Sequence, residues 1–598
     1  MTKSQLSSFN WKIAGKAGEG VMVVAKMLAM ICKRHGLNAF NYLEYPSLIK
    51  GGHQTGQVLA SFGPAKCQKK DLDLLVTLGG AGLTEHAREL TKDSLVIYNQ
   101  DAGPLDKTKQ QQFKSRLVKL PLTTLAKQTT GAVQSANMGV LGVSVYFLGL
   151  NTKIAQQVIK DEFVGKTESV IEDNLKTFMA GFKAGQKLGQ PIRQINKKPD
   201  NKILLTGNEA VGLGALAGGV QFYSAYPMTP ATGLLHYLAQ MQDKYPLVVK
   251  HAEDEIGAIN HALGASFAGV RAMTGTSGGG FALMVEGLAL ASLAEIPLVI
   301  LEAQRKGPAT GLPTWTEQAD LSFVLTAGHG DTQQVVLTPG TVAEHFELTK
   351  LAFDLADKYQ LPVIILSDKL MLESHQTMKK PEIVQTHQAQ SLAKDLPQDD
   401  SYRRYLVTKS GLSPRSLPGQ AHGLQLTNSY EHDEFGFATE LADQTQAQVE
   451  KRARKLEALA QEMPRPYLLG PKKVKVTLVG WGSTINLLTQ LIENQADQAD
   501  SKSPLINAIC LPAVWPFPSS AFVKLVKSAR RLVMVEGNQS GQAEKLIRQE
   551  TGLIMTDHIR RYDGRPFYVE DIKLFLKKGR MTSHKRHSPP PRRGGIQE

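Results

Sequence analysis

Cysteine is nearly absent from this chain. Only Cys32, Cys67 and Cys510 occur among 598 residues, far apart and with no C-x-x-C pair. That spacing excludes a disulfide framework, and it excludes a four-cysteine iron–sulfur or zinc site built from this chain alone. Long apolar runs are also missing. No stretch of about 18 uncharged apolar residues occurs, so no membrane span is expected. The opening residues, MTKSQLSSFN, lack the apolar core of a secretory signal, and a cytoplasmic protein is expected. No short-period internal repeat is present. The length itself excludes a single core, since about 150 residues per domain gives three or four domains. A hydrophobic content of 42% with 21% charged residues is ordinary for a soluble globular protein.

What the sequence has in excess is positive charge, formally +14. Such a balance invites a nucleic-acid reading. Much of it, however, lies at the end of the chain. Lys577, Lys578, Arg580, Lys585, Arg586, Arg592 and Arg593 are set against a single acid, Glu598, around a Ser588–Pro591 stretch and a Gly594-Gly595 pair. Residues 577–598 therefore read as a disordered basic tail, and nucleic acid is not the expected partner.

The rest of the chain alternates strand-like and helix-like segments, the α/β pattern. Three α/β domains are expected, over residues 1–195, 203–395 and 466–576, with a polar irregular connector at 396–465. In the first, Gly15, Gly18 and Gly20 form a turn between a strand and an apolar helix. Their amides are candidates for holding a phosphate. The spacing is not G-x-G-x-x-G, so a dinucleotide site is not implied. Lys50-Gly51-Gly52-His53 is a second candidate phosphate loop, and a tight structural turn accounts for either.

The chemistry concentrates between Tyr223 and Leu321. Tyr226-Pro227-Met228-Thr229-Pro230 comes first, then Glu253-Asp254-Glu255-Ile256-Gly257-Ala258. Thr276-Ser277-Gly278-Gly279-Gly280 follows, and last the loop from Arg305 to Thr314, RKGPATGLPT. Glu253 and Asp254 read as helix caps. Glu255 instead enters a mostly apolar helix, where a carboxylate is costly unless partnered or protonated. A hydrogen-bonded structural Glu is the plain alternative. Arg305 follows an apolar strand, at the edge of an open α/β sheet where ligands bind. Its planar fork suits a carboxylate, against the alternative of a surface salt bridge.

In order, these motifs resemble the pyrimidine-binding domain of 2-oxoacid:ferredoxin oxidoreductases. Residues 9–190 resemble the gamma domain of those enzymes, and 472–545 their transketolase-C-terminal-like domain. The whole is similar to the alpha subunit of two-subunit 2-oxoglutarate:ferredoxin oxidoreductases. The resemblance implies oxidative decarboxylation of 2-oxoglutarate to succinyl-CoA and CO2, with electrons passed to ferredoxin. It implies thiamine diphosphate as cofactor, with Glu255 on N1′ of its aminopyrimidine and Tyr226, Pro227, Ser277 and Gly278 around it. Thr229 is implied beside the substrate and Arg305 on the substrate carboxylate. The gamma domain is implied to lie over the site, which makes Gly15, Gly18, Gly20, Lys50, Gly51 and Gly52 candidates for coenzyme A contact. Pyruvate or another 2-oxoacid is the alternative substrate, and a non-catalytic regulatory or assembly subunit the alternative role.

The departures from the family pattern point outward. No G-D-G with a following Asn-rich stretch occurs; Gly330-Asp331 is followed by Thr332. The resemblance implies that a separate beta subunit carries the diphosphate half-site with its Mg2+ and the iron–sulfur cluster, within an (alpha-beta)2 heterotetramer, and these absences accord with that expectation. The usual Arg-Gly-Gly reads Arg305-Lys306-Gly307 here. In the connector, the acids around His432 read as solvated charges rather than a metal site. Glu536 to Gln542 reads as an interface turn, with a ligand role as the alternative.

Overall fold

The computed structural model describes residues 8–46, 52–105, 116–193, 200–383, 401–496, 506–527 and 529–578, with a few further positions in 195–198 and 392–399. Among these residues, twenty strands form three sheets. The strands of the first segment are β1 (Ser8–Lys16), β2 (Asn38–Glu44), β3 (His53–Ser61), β4 (Leu72–Thr77), β5 (Leu90–Asn99), β6 (Arg116–Leu120) and β7 (Lys202–Thr206). Then come β8 (Phe222–Ala225), β9 (Val248–His251), β10 (Ala272–Thr276), β11 (Leu298–Gln304), β12 (Val335–Leu337), β13 (Pro362–Asp368) and β14 (His375–Lys379). The last are β15 (Tyr467–Leu469), β16 (Val476–Trp481), β17 (Ile506–Leu511), β18 (Ala513–Trp515), β19 (Leu532–Glu536) and β20 (Asp557–Arg560).

The α/β class holds throughout. The sheets do not respect the expected domain limits, however. The first runs β6-β5-β4-β1-β3-β2-β14-β7, so it takes in two strands from the 203–395 segment and its border. The second runs β18-β12-β13-β11-β10-β8-β9, its first strand coming from the last domain. The third is β15-β17-β16-β19-β20. The expected tail also starts too early. Lys577 and Lys578 belong to the helix Val569–Lys578, and residues 579–598 lie outside those described.

The second sheet positions the site. Neighbours from β12 through β9 are parallel, so their C-terminal ends share one edge. β11 and β13 are buried along their whole length, as central strands covered on both faces are. The helices Glu255–Phe267 and Gly278–Leu293 cover one face, with Ile259, Leu263, Phe281 and Met284 packed towards Ile300 and Ile364. That apolar cluster continues into Val479, Trp481, Leu511 and Met534 of the third sheet. At roughly 1.5–3 kcal/mol for each large apolar side chain buried, this shared core ties the third sheet to the second. The helices Gly207–Ala217 and Val342–Tyr359 cover the other face over Val299, Leu301, Val363 and Ile365.

Candidate active site

At this edge the chain leaves β8 into Tyr226–Pro230, β10 into Ser277-Gly278 and β11 into Arg305. Parallel register alone therefore gathers three of the sequence motifs. The fourth arrives on the helix that follows β9. Asp254, not Glu253, is the cap: its carboxylate accepts the Gly257 N–H at 2.6 Å. Glu255 is then the first helical residue and turns inward, 4% exposed, with Oε1 meeting no hydrogen-bond donor. Buried polar atoms without partners are rare, so this one needs an explanation. Glycine makes the space for it. A Cβ at Gly280 would lie 2.6 Å from Glu255 Oε1 and 2.1 Å from Thr276 Oγ1. Ser277 sits at the N-terminus of the helix Gly278–Leu293, but its buried hydroxyl neither caps that helix nor finds another partner.

Arg305 and Thr229 are brought together through backbone. Arg305 Nη1 donates to the Thr229 carbonyl at 2.9 Å, and among the described residues no carboxylate lies within ion-pair distance of the guanidinium. Asn208, which sequence reading missed, holds the same loop by donating to the Pro230 carbonyl at 3.0 Å. Tyr226 stays exposed. Lys306, the departure from Arg-Gly-Gly, pairs with Glu317 at 2.9 Å across a turn closed by the Lys306 amide on the Trp315 carbonyl.

Behind this wall lie three acids with no sequence signature. Glu302 on β11 is fully buried and neither of its oxygens has a partner. Burial first, then the facing Asp320 and Asp368, drives its carboxyl well above the usual range. Asp320 is pushed up to about 6 by burial and by Glu317, against the pull of Glu302 and Arg305. Burial also raises Asp368, although the Met371 N–H donates to it at 3.1 Å.

The loop from Arg305 to Asp320 is gripped from the third sheet's C-terminal edge. Gln318 Nε2 donates to the Trp481 carbonyl at 2.8 Å, while the Gln318 and Gly537 backbones exchange hydrogen bonds with Gly537 and the Gln318 side chain, both at 2.8 Å. Asn538 Nδ2 donates to the Gln318 carbonyl at 2.9 Å, Gln542 Nε2 to Ala319, and the Arg565 guanidinium stacks 3.4 Å over Trp315. The Glu536–Gln542 stretch is thus an interface turn, as expected.

The other candidates fall elsewhere. Gly18 and Gly20 adopt φ of 92° and 72°, and the Ala17 N–H donates to the Gly52 carbonyl at 3.1 Å, so the two candidate phosphate loops adjoin. The Lys16 amide of that turn is already taken by Glu19 Oε2 at 2.6 Å. Lys50 and Gly51 lie outside the described residues. The acids around His432 are not solvated charges: Glu431 pairs with Arg452 at 2.6 Å, Glu434 pairs with Arg403, and His432 is buried against Tyr405. Among the described residues no group of three or more His, Cys, Asp or Glu is arranged to hold a metal. No described helix is long and apolar enough to cross a membrane.

Residues 213–451 match the family described as pyruvate flavodoxin/ferredoxin oxidoreductase, thiamine diP-bdg, and residues 10–184 match pyruvate ferredoxin/flavodoxin oxidoreductase. A 2-oxoacid:ferredoxin oxidoreductase alpha subunit from Sulfolobus sp is 31% identical over 628 residues, covering 96% of this chain and 98% of its own. The chain belongs to the 2-oxoacid:ferredoxin oxidoreductase alpha subunits. A 2-oxoglutarate synthase subunit KorA from Archaeoglobus fulgidus is 32% identical over 57% of this alpha subunit and 89% of its own length. The structure of 2-oxoglutarate:ferredoxin oxidoreductase from Magnetococcus marinus, with 2-oxoglutarate, coenzyme A and succinyl-CoA bound, superposes with a TM-score of 0.88 at 30% identity. It covers 96% of this alpha subunit and 99% of that chain. The residues here fit the pyrimidine half of thiamine diphosphate: an unpartnered buried carboxylate oxygen at Glu255, an unpartnered hydroxyl at Ser277, and a floor at Gly280 that any side chain would fill.

Proposed function

We propose that this alpha subunit acts on 2-oxoglutarate, oxidising it with coenzyme A to succinyl-CoA and CO2 and passing two electrons, one at a time, to ferredoxin. The observation that carries the site assignment is the unpartnered, buried Glu255 carboxylate at the C-terminal edge of the second sheet. Thiamine diphosphate, when bound, supplies the carbon nucleophile and the electron-accepting ring that decarboxylation requires. Glu255 holds a proton at N1′ of its aminopyrimidine, which a carboxylate in a water-poor pocket does well. Ser277 and Gly278 border the ring together with Tyr226 and Pro227. Arg305, steadied by the Thr229 carbonyl, keeps the rest of its fork for the substrate carboxylate, beside the Thr229 hydroxyl. The first domain faces coenzyme A with the adjoining Gly15–Gly20 and Gly52 turns. The diphosphate, Mg2+ and an iron–sulfur cluster are assigned to a beta subunit, following the family pattern. The helix faces next to Glu255 support such a partner, since Ile256 and Leu283 stand exposed there. An (alpha-beta)2 assembly follows the family pattern.

The test is co-expression with the beta subunit, then coenzyme A-dependent dye reduction with 2-oxoglutarate, pyruvate and branched 2-oxoacids compared by kcat/KM. The expected result is preference for 2-oxoglutarate, no turnover by this chain alone, and a loss of about 10²–10⁴-fold in Glu255→Ala. Equal rates on pyruvate would overturn the substrate assignment, and wild-type turnover in Glu255→Ala would overturn the site.

A further inference from the structure

The acid nearest Arg305 does not pair with it. Asp320 feels the guanidinium and the guanidinium feels Asp320, yet the two lie beyond ion-pair distance. A carboxylate that close to an arginine ordinarily closes on it, and here that would fill the fork proposed for substrate. The geometry shows what holds Asp320 back. Its backbone N–H donates to Gln304 Oε1 at 3.1 Å, and Gln304 is itself fixed by donating to the Ser367 carbonyl at 3.2 Å. Its carboxylate packs flat against Gly278, where a Cβ would come within 2.5 Å of Oδ2. That places it at the N-terminus of the helix Gly278–Leu293, whose first amides attract negative charge. On the far side stands Glu302, in register with Thr276 of β10. Both Glu302 oxygens are buried and meet no donor, so an ionised Glu302 would be stranded. A protonated Glu302 is not, because its O–H can donate to Asp320.

We propose that Glu302 and Asp320 share one proton as a positioning pair, in which Glu302 draws the Asp320 carboxylate away from Arg305 and keeps that cation open for the 2-oxoacid. This rests on the assignment of Arg305 to the substrate carboxylate. The charged groups facing the pair are few. Asp368 of β13 and Glu317 of the loop add negative charge, Lys306 neutralises Glu317, and Arg305 adds positive charge. Two acids therefore carry one negative charge at neutral pH. Protonation of Asp320 in mild acid removes the remaining competitor for Arg305, so 2-oxoacid affinity rises as pH falls through about 6.

The experiment uses the holoenzyme with its beta subunit and reads KM and kcat for the 2-oxoacid from pH 5.5 to 8, a range set around the ~6 expected for Asp320. Glu302→Leu removes the donor and should raise KM about tenfold with kcat little changed, as Asp320 swings onto Arg305. Glu302→Gln keeps a donor and should restore KM to within about twofold of wild type. Asp320→Asn should abolish the KM inflection near pH 6, and the double variant Glu302→Leu/Asp320→Asn should lose the tenfold penalty. A KM in Glu302→Leu that matches wild type, or an inflection that survives Asp320→Asn, overturns the proposal. Arg305→Ala separates the two levels. If it leaves KM unchanged, the substrate assignment fails; if it raises KM while the Glu302 and Asp320 variants do nothing, only the pair fails. Should Glu302→Leu not fold, the Asp320→Asn pH profile decides alone.

Discussion

Replacing Gly280 with alanine puts a methyl carbon 2.1 Å from Thr276 Oγ1 and 2.6 Å from Glu255 Oε1, both well inside non-bonded contact. Gly280 is the third residue of the helix Gly278–Leu293, so its backbone accepts any L residue and the conflict is purely steric. Two energies decide what gives way. Alanine is about 1 kcal/mol better than glycine in a helix interior. Overpacking a buried site costs about 1–3 kcal/mol. The net is at most about 2 kcal/mol, which a chain with three sheets and a shared core tolerates, so the protein folds. Relief needs the Thr276 hydroxyl turned away and the Glu255 carboxylate pushed aside by roughly 1 Å, and a misplacement of that size at a reacting centre costs about 10²-fold in rate. Gly280→Ala should therefore melt within a few degrees of wild type, yet lose about 10²-fold in coenzyme A-dependent dye reduction with the beta subunit present. Thiamine diphosphate affinity, read by calorimetry, should fall with it. Full turnover in a folded Gly280→Ala protein would refute the argument that this glycine makes room for the Glu255 carboxylate.

Three further outcomes are expected. Gln318→Ala deletes the side-chain bonds to Trp481 and Gly537, each worth about 1 kcal/mol; KM for the 2-oxoacid should rise about tenfold while secondary structure is kept, and an unchanged KM would show that the third sheet does not steady the Arg305 loop. Glu295 sits fully buried at φ 52° between Lys451 at 2.6 Å and Lys455; Glu295→Ala strands both ammonium groups and should cost about 3–5 kcal/mol in a urea titration, so an unmoved midpoint would count against the ion cluster as the anchor of the helix Ala442–Ala460. Burial lowers the His345 imidazole to about 4. The unfolded chain then takes up this proton near 6.5 and the folded one only near 4, so the stability this group contributes is full above about 6.5 and declines by roughly 3 kcal/mol as pH falls to 4. His345→Gln should flatten the change in urea midpoint between pH 7 and 5, and a slope identical to wild type would assign the acid sensitivity elsewhere.

The sequence exposed what is local and hid what depends on register. Glu255 could be singled out because its neighbours along one helix are apolar, and Arg305 because it leaves an apolar strand into a Gly/Pro loop. Both properties are written in consecutive residues. Glu302 and Asp320 carry no such mark. One is a lone acid inside a strand that reads as core, the other an ordinary residue before a short helix, and only pairing of β10 with β11 and the return of the loop bring them together. The strands β7 and β14 were invisible for a related reason. KILLT and HQTMK have no strict alternation, and their place in the first sheet comes from pairing with each other and of β14 with β2. The acids around His432 were misread because their partners, Arg403 and Arg452, lie about 20 or more residues away in sequence, beyond any helical or strand spacing.

The third domain contributes none of the four motifs that gather at the site, yet it fixes the loop that carries the last of them, Arg305 to Thr314. The Glu255 side of the site is built into the second sheet and its helices. The Arg305 loop is not: between Lys306 and Asp320 it is a closed turn whose firmest attachments are Trp481, Gly537, Asn538, Gln542 and Arg565. A guanidinium reads a carboxylate by direction as well as charge, so a loop free to sway would bind the 2-oxoacid in many poses and hold few of them. Glu302 restrains the Asp320 carboxylate whose charge reaches Arg305, and Gln318 restrains the loop. The two restraints act on the same side chain through different elements and share no hydrogen bond. Their KM effects should therefore multiply in the Glu302→Leu/Gln318→Ala double variant, and a double variant no worse than the poorer single one would mean that both act through a single displacement of the loop.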